Sequence, residues 1–371
     1  MEVETVVREP SELVPNSPSL AIQLHCVDPA EVTAVTNYWN WQLDRLEPGE
    51  FHGSVTLLQL GHLLVTKVTV NRAALHRLAC PANGRAMLMR GEGSAPIFVA
   101  GLLLQPSDFV LLDRCTEIEL LGHGTGSIIA ISLHGSADTR LNVSAAGKPL
   151  PLSGGARLLS CPAGNLIDIP DCVDKAASSL LSQGTYPNSL ARASLTQELM
   201  VRLNMAMENA IPVEVNRLRP TRRRVAVERA RDFIRQRLTD PIRLADLCQH
   251  SHVQERSLEY GFREIVGLRP MTYIKMLRLA EVHRRLLAEL SMERSISEVA
   301  LDSGFCHLGQ FAYDYKRLFM ESPSTTRRRA RWQTGRVAPT VTNGGTNGAM
   351  PSSRPHAVLD GFNGESRKYL S

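Results

Sequence analysis

The sequence predicts an α+β multidomain protein, in which a β-rich N-terminal barrel or sandwich followed by helices precedes an all-α C-terminal domain. Three observations lead to this fold class. The chain has 371 residues, 43% hydrophobic and 21% charged, and a chain of this length normally forms two domains. Short apolar runs fill its first half, whereas apolar residues three and four apart fill its second half. The net charge also changes sign between the halves.

The charge reversal lies near residue 220. Residues 1–219 contain 16 basic and 21 acidic side chains, whereas residues 220–333 contain 22 basic and 14 acidic side chains, a net charge of +8. A basic module attracts a polyanion whatever its sequence, although a solvated basic surface would give the same count. We therefore expect two modules with different partners: an N-terminal module (residues 21–211) and a C-terminal module (residues 225–332).

The N-terminal module is expected to be built from strands. Gly61 separates two runs rich in Val, Leu and Thr, which indicates a hairpin. Further apolar runs follow at intervals of about ten residues, the spacing of a sandwich or small barrel. The aromatic residues 37–43 fit either a helix or a strand. The predicted strands are residues 54–60, 62–70, 97–104, 108–112, 117–121 and 127–133.

Helical spacing begins after Pro170 and predicts helices at residues 173–183 and 189–210. The amphipathic residues 195–207 fit two roles equally, a dimerisation helix or a helix that packs on its own barrel. Stretches rich in Pro, Gly, Asn or Ser with few large apolar residues cannot bury enough surface to fold. The remaining segments are a flexible N-terminus (residues 1–20), an interdomain linker (residues 212–224) and a disordered tail (residues 333–371).

The C-terminal module repeats its own apolar pattern. Leu247 corresponds to Val299 at an offset of 52, and Phe262 corresponds to Tyr315 at an offset of 53, so one residue is added within the turn. Each copy is predicted to be a short helix, a turn and a longer helix closed by proline, which is the helix-turn-helix layout. The matched positions are Leu244, Leu247, Cys248, Leu258, Phe262 and Pro270 with Ile296, Val299, Ala300, Phe311, Tyr315 and Pro323.

Capping and turn residues agree with this layout. Ser295 and Glu298 form a capping box before the first helix of the second copy, and Asp240 is expected to cap the corresponding helix of the first copy. Gly304 marks the second turn, where glycine adopts a positive φ at low cost, whereas the first copy has His252 there. A long helix is expected between the copies at residues 271–287, with Ile274, Leu277, Val282 and Leu286 buried.

Two such units in register, carrying a net charge of +8, predict DNA binding. The second helix of each unit can enter the major groove, while the first helix and neighbouring helix N-termini contact backbone phosphates. A rigid connecting helix would let one chain read two groove segments about 34 Å apart. A helical bundle without nucleic acid is the structural alternative.

The second copy, with Ile296, Ser303-Gly304-Phe305, Phe311, Tyr315 and Pro323, resembles the AraC/XylS family of bacterial transcription regulators. The resemblance covers about 105 residues and implies a double helix-turn-helix DNA-binding domain. The N-terminal module is faintly similar to the cupin-type ligand-binding domains that precede such domains.

Three residues depart from the family pattern. Met320 stands where a helix-ending glycine is usual, and His252 leaves the first turn without glycine. Gly261 lies inside the first recognition helix, at a cost of about 1 kcal/mol relative to alanine unless close packing needs it. Base reading by the first copy is therefore left open.

The resemblance places base-edge contacts on the two recognition helices, opposite the core positions Leu258, Phe262, Phe311 and Tyr315. Arg can bond guanine, Glu can accept from cytosine, and Gln310 is suited to adenine, although a solvated helix face would look the same. The base-edge candidates are Arg256, Glu259, Tyr260, His307, Leu308, Gln310 and Tyr313. The phosphate candidates are Arg263, Lys316 and Arg317.

An enzymatic N-terminal module is a minor alternative, since cupin-like barrels can hold catalytic metals. Such a site needs several His or carboxylate ligands with two closely spaced on one strand, and the N-terminal histidines contain no His-x-His pair. We therefore expect no enzyme activity, no cofactor and no metal, and His123 is expected in a loop. The aromatic residues Tyr38, Trp39, Trp41 and Phe51 fit either core packing or a ligand pocket.

The function predicted is sequence-specific transcription regulation, controlled by a small-molecule effector bound to the N-terminal module. The alternative is a ligand-independent regulator whose N-terminal module only dimerises. The expected partners are double-stranded operator or promoter DNA, with RNA polymerase, an effector and a second copy as further candidates. No apolar run reaches 18 residues, and the seven cysteines contain no Cys-x-x-Cys pair, so a cytoplasmic protein without a membrane span is expected.

Overall fold

The strands of the N-terminal module form two antiparallel sheets in the computed structural model of the chain. The structure describes residues 20–61, 63–81, 84–134, 151–153, 155–161, 166, 168–182, 189–213, 221–288 and 294–335. The strands are β1 (Leu20–Cys26), β2 (Gln42–Arg45), β3 (Gly53–Leu60), β4 (Leu63–Val70), β5 (Ala74–Ala79), β6 (Gly84–Arg90), β7 (Ile97–Val99), β8 (Leu102–Leu103), β9 (Asp108–Leu112), β10 (Glu117–Gly122), β11 (Gly126–His134), β12 (Pro151–Ser153), β13 (Ala156–Ser160) and β14 (Ile211–Pro212).

The larger sheet has the strand order β1-β3-β4-β11-β6-β9-β13-β12, with β14 paired to β13, and the smaller sheet has the order β2-β5-β10-β7-β8. Five of the six predicted strand segments are confirmed, and β3 pairs with β4 from Gly53↔Val70 to Leu60↔Leu63 around the predicted turn. The sixth prediction, one strand at residues 97–104, was wrong, because Ala100 and Gly101 adopt positive φ and divide the segment into the antiparallel pair β7 and β8. The prediction missed β1, β5, β6, β12, β13 and β14. The sequences of β5 and β6, ALHRLA and GRAMLMR, lack the β-branched residues that make a strand recognisable.

The core between the two sheets contains the aromatic group that the sequence left open between core and pocket. Trp39, Trp41 and Phe51 are buried, and Tyr38 packs against them. Trp39 donates to the Thr66 hydroxyl at 2.7 Å, so its indole N–H is satisfied within the core. The segment 37–43, left open between helix and strand, contains a 3₁₀ helix (Asn37–Trp39) and then enters β2.

Three helices complete the N-terminal module: α1 (Pro29–Val35), α2 (Asp168–Ser182) and α3 (Ser189–Glu208). Leu199, Leu203 and Met207 of α3 are buried with strand residues of the larger sheet. The amphipathic segment 195–207 therefore packs on its own sheet. Val201 and Met205 lie on the outer face of α3 and are exposed.

Helices joined by turns and loops make up the described part of the C-terminal module, which confirms the α+β fold class. Its helices are α4 (Arg222–Gln236), α5 (Leu244–Ser251), α6 (Glu255–Ile265), α7 (Pro270–Ala288), α8 (Ile296–Asp302), α9 (Leu308–Phe319) and α10 (Pro323–Gly335). Helix α4 begins inside the segment 212–224, with the Thr221 hydroxyl accepting from the Arg224 N–H at 3.1 Å. The expected flexible N-terminus, most of the expected linker and most of the expected disordered tail lie outside the described residues.

The outer face of the smaller sheet packs against the C-terminal module. The described residues up to Arg331 form one compact unit. Within this unit, Leu46, Leu75 and Leu121 of the N-terminal module join the apolar core of the C-terminal helices. No helix in the described part of the chain is both long and apolar enough to span a bilayer.

Candidate nucleic-acid interface

The second helix-turn-helix unit consists of α8, a turn at Gly304 and the recognition helix α9. The predicted capping box is confirmed, since Ser295 Oγ accepts from the Glu298 N–H at 3.1 Å and the Glu298 carboxylate accepts from the Ser295 N–H at 2.5 Å. Gly304 has φ +87°, as predicted for the turn. Met320 ends α9 with φ +62°, and its N–H donates to the Lys316 carbonyl at 2.9 Å. A left-handed methionine therefore fills the position that glycine usually takes.

The first unit consists of α5, a turn at His252 and the recognition helix α6. His252 has φ +57°, so a non-glycine residue adopts the left-handed conformation here. The predicted N-cap, Asp240, was wrong because α5 begins only at Leu244. The carboxylate of Asp246 accepts from the Arg243 N–H at 2.7 Å and thereby satisfies a free donor at the helix start.

The connecting helix α7 joins the units, and its predicted core positions Ile274, Leu277, Val282 and Leu286 are buried. Arg278 of this helix donates to the Leu238 carbonyl at 2.7 Å, to the Asp240 carbonyl at 2.5 Å and to the Gly304 carbonyl at 2.9 Å. It therefore ties the loop before α5 to the turn of the second unit. The sequence matched Arg278 to the family pattern but gave it no such role, since its partners are 26 to 40 positions away.

On α6, Leu258 and Phe262 are buried as predicted, and the opposite face is open to solvent. Arg256 and Arg263 are exposed, Glu259 is half-buried, and Tyr260 is 58% exposed. The guanidinium of Arg223 lies 4.3 Å from the centre of the Tyr260 ring, so one face of that ring is already occupied.

Gly261 of α6 packs tightly against α4. A Cβ at this position would lie 2.7 Å from Arg223 Cγ and 2.8 Å from Val227 Cγ2. The close approach of α4 explains a glycine inside a helix, as the sequence analysis allowed.

On α9, Phe311 and Tyr315 are buried as predicted, and the other candidates share the exposed face. His307 lies at the N-cap position, and the side-chain amide of Gln310 donates to Asp314 at 3.1 Å. Gln310 keeps its carbonyl oxygen and a second amide hydrogen, which are the groups needed for an adenine edge. The exposed candidates on α9 and at its N-cap are His307, Leu308, Gln310, Tyr313, Lys316 and Arg317.

Two sets of cations in the C-terminal module have contrasting surroundings. Arg231, Arg235 and Arg284 bind carboxylates of the N-terminal module, Glu119 for the first two and Asp44 for the third. Burial would raise the pKa of Glu119, but the neighbouring Arg231, Arg77 and Arg235 lower it overall. By contrast, no described carboxylate lies within ion-pair distance of the phosphate candidates Arg263, Lys316 and Arg317, which leaves their charges available to an anion.

The two units, their exposed faces and the unpaired cations define a double helix-turn-helix module of the DNA-binding class. A family model described as a helix-turn-helix domain matches residues 247–329. The XylDLEGF operon transcriptional activator 2 of Pseudomonas putida is 40% identical over 99 residues, which are 27% of this chain and 63% of that protein. A probable thc operon regulatory protein of Rhodococcus erythropolis is 33% identical over 98 residues, which are 26% of this chain and 30% of that protein.

Among solved structures, a probable AraC family transcriptional regulator from Rhodopseudomonas palustris is 32% identical and covers 29% of this chain and 97% of that one, with a TM-score of 0.27. In the two curated relatives named above, the segment that matches this chain spans between about a third and two thirds of the relative's length. The C-terminal module belongs to the AraC/XylS type of DNA-binding transcription-regulator domain, as its sequence predicted.

Proposed function

We propose that the protein is a sequence-specific transcription regulator that reads DNA with α6 and α9. The observation that carries the proposal is the division of both recognition helices into a buried face and an exposed face. Leu258, Phe262, Phe311 and Tyr315 anchor the helices, and the exposed sides present groups that can bond base edges and phosphates. The transcription activators among the curated relatives support the same reading of the chain.

The site residues divide into two proposed roles. Arg256, Glu259 and Gln310 carry hydrogen-bonding groups suited to base edges, and Leu308 is suited to a thymine methyl group. His307, Tyr260 and Tyr313 complete the base-edge set, although Arg223 covers one side of the Tyr260 ring. Arg263, Lys316 and Arg317 are proposed as phosphate partners that fix the register of the protein on the duplex.

Two substitutions on α9 separate these roles. Gln310→Ala is expected to lose about 1–3 kcal/mol of discrimination at particular base pairs, whereas Lys316→Ala is expected to weaken binding to all duplexes alike. The operator is first selected from genomic fragments with the full chain. Gel-shift titrations then use that duplex and a panel carrying single base-pair changes.

Matched controls lie in the N-terminal module, where Gln23 and Lys175 are exposed. Gln23→Ala and Lys175→Ala should leave every affinity unchanged. An equal loss on all duplexes from Gln310→Ala would refute its base-reading role, and selection of no sequence above random competitor would refute the proposed function.

We further propose that the N-terminal module binds a small-molecule effector that biases the DNA-binding module. The packing of the smaller sheet on the C-terminal helices supports this role, because a ligand acts at a distance only through contacts that differ between two states. A thermal-shift screen of metabolites on the full chain tests it. A compound that stabilises the chain and also changes operator affinity is expected; stabilisation without any effect on affinity would contradict the proposal.

The alternative of a ligand-independent, dimerising regulator has one specific observation in its favour. Val201 and Met205 expose apolar side chains on the outer face of α3. Sedimentation of the full chain and of Val201→Glu would show whether this face joins two copies.

A further inference from the structure

Besides the apolar packing and the ion pairs described above, two hydrogen-bonded contacts link the N-terminal module to the two recognition helices. The first contact, here called the first clasp, joins His123 to Ile265 at the end of α6. The Nε2 atom of His123 lies 2.8 Å from the Ile265 carbonyl oxygen, and its ring lies 4.7 Å from that of Phe98. The carbonyl oxygen can only accept, so Nε2 of His123 carries the hydrogen of this bond, and burial lowers the pKa of the ring. The last turn of the first recognition helix is thus held from the N-terminal module.

The second contact, here called the second clasp, reaches the second recognition helix through a chain of polar groups. The Asp28 carboxylate, at the N-cap of α1, lies 3.0 Å from Nε2 of His283 on α7. Nδ1 of His283 lies 2.7 Å from the Tyr315 hydroxyl on α9. That hydroxyl lies 2.9 Å from Thr326 Oγ1, which lies 2.7 Å from a Glu321 carboxylate oxygen.

The carboxylates at the two ends of this chain of polar groups determine which group donates in each hydrogen bond. The carboxylates of Asp28 and Glu321 can only accept, so Thr326 donates to Glu321, Tyr315 donates to Thr326, and His283 donates to Tyr315. Four contacts need four protons, and the imidazole must supply two of them. The hydrogen-bond pattern therefore assigns a proton to each ring nitrogen of His283, which places a positive charge beside the Asp28 carboxylate.

The charges of the second clasp balance within a nearly dry site. The side chains of His283 and Asp28 are 4% and 7% exposed. Arg329 of α10 donates to both Asp28 and Glu321, and thus supplies the positive charge that a metal ion would bring to this group of ligands. Two carboxylates face two cations, so removal of either partner leaves a buried charge uncompensated.

Both clasps lie behind the faces proposed to read DNA. Arg256 on α6 and Gln310 on α9 remain exposed while the modules are in contact, and Tyr313 is 63% exposed. The residues of these helices that the clasps contact, Ile265 and Tyr315, are buried. The N-terminal module therefore holds the helices without covering the residues that the proposed function assigns to the bases.

We propose that Asp28 and His123 are positioning residues for DNA reading, each responsible for one half of the binding site. Asp28 fixes the orientation of α9 through His283 and Tyr315, and His123 fixes the last turn of α6. The role in DNA reading rests on the proposed function, but the two clasps can be tested without DNA.

The first test measures hydrogen exchange of backbone amides in the full chain by mass spectrometry. Asp28→Asn keeps the helix cap of α1, because Asn caps as well as Asp, but removes the charge that faces His283. His123→Phe keeps a ring against Phe98 but removes the donor to Ile265. Asp28→Asn should raise exchange in α9 about fivefold or more and leave α6 unchanged, and His123→Phe should do the reverse.

Asp174→Asn is the matched control, since it removes another N-terminal carboxylate, one paired with Lys67 at 2.6 Å. It should change neither helix. If Asp28→Asn does not fold, Arg329→Gln tests the same carboxylate from its other side. A rise of equal size in both helices, or no rise in either, would overturn the proposal.

The second test uses the selected operator duplex with base changes confined to one half-site. Asp28→Asn should weaken discrimination at least about fivefold in the half read by α9 and leave the other half unaffected, while His123→Phe should show the opposite pattern. Loss spread evenly over both halves would show a merely structural role, and tighter binding would show that the clasps restrain the protein instead. If the unmodified chain selects no sequence, the proposed function fails, while the exchange measurement still decides whether the clasps exist.

Discussion

Substitution of Gly304 by alanine should destabilise the C-terminal module strongly. The left-handed φ of +87° costs a residue with a Cβ about 1–2 kcal/mol. The new Cβ would also lie 2.9 Å from the Thr239 carbonyl oxygen and 2.8 Å from Arg278 Cζ. Arg278 makes three bonds to backbone carbonyls, and losing the equivalent of one adds about 1.5–3 kcal/mol. We expect a total loss of about 2.5–5 kcal/mol.

Gly309→Ala in the same unit is the matched control. A Cβ at Gly309 would meet no atom within 4 Å, so alanine should stabilise α9 by up to about 1 kcal/mol. Thermal unfolding of the full chain, followed by circular dichroism, should show opposite shifts for the two variants. A Gly304→Ala protein that melts at or above the temperature of the unmodified chain would refute the assignment of strain and of the Arg278 contacts.

Three further predictions concern helix ends and charge. Met320→Gly should raise the free energy of unfolding by about 1 kcal/mol, because glycine removes the backbone strain of an exposed methionine in the left-handed conformation. A lower melting temperature would contradict this. Ser295→Ala should cost about 0.5–2 kcal/mol by opening the capping box, whereas Ser297→Ala, at an exposed neighbouring position, should cost little. Burial would raise the pKa of Asp28, but the hydrogen bond and charge of His283 hold it well below its ordinary value. The resulting stability is present above about pH 4 and lost as the pH falls, and urea titrations should show a shallower acid loss for Asp28→Asn.

Local patterns in the sequence predicted most of the fold. Gly61 and its flanking β-branched residues predicted a hairpin, and the offsets of 52 and 53 located both helix-turn-helix units. These features could be predicted because they depend on residues close together in the sequence. Strands such as β6 were missed since methionine and alanine carry no strong preference for extended backbone. Asp240-Pro241 suggested a helix start, but the N-cap residue is Arg243, three residues further on. The Arg243 N–H donates to the carboxylate of Asp246.

The interface between the modules had no signal in the sequence. Asp28 and His283 are separated by 255 positions, and Glu119 and Arg231 by 112, so no periodicity connects them. Each is an ordinary charged or polar residue until the fold brings its partner within 3 Å. The exposed residues of α6 and α9 could be predicted because helix periodicity alone separates them from the buried face.

The many ion pairs of the C-terminal module reduce the expected salt dependence of its affinity for DNA. Cations such as Arg231, Arg284 and Arg329 already neutralise carboxylates, so they are not free to neutralise phosphates and release the cations condensed on a duplex. Each phosphate contact contributes about −0.9 to the slope of log affinity against log salt concentration. Three contacts by Arg263, Lys316 and Arg317 would give a slope of roughly −2.7, far gentler than the 22 basic side chains of residues 220–333 suggest.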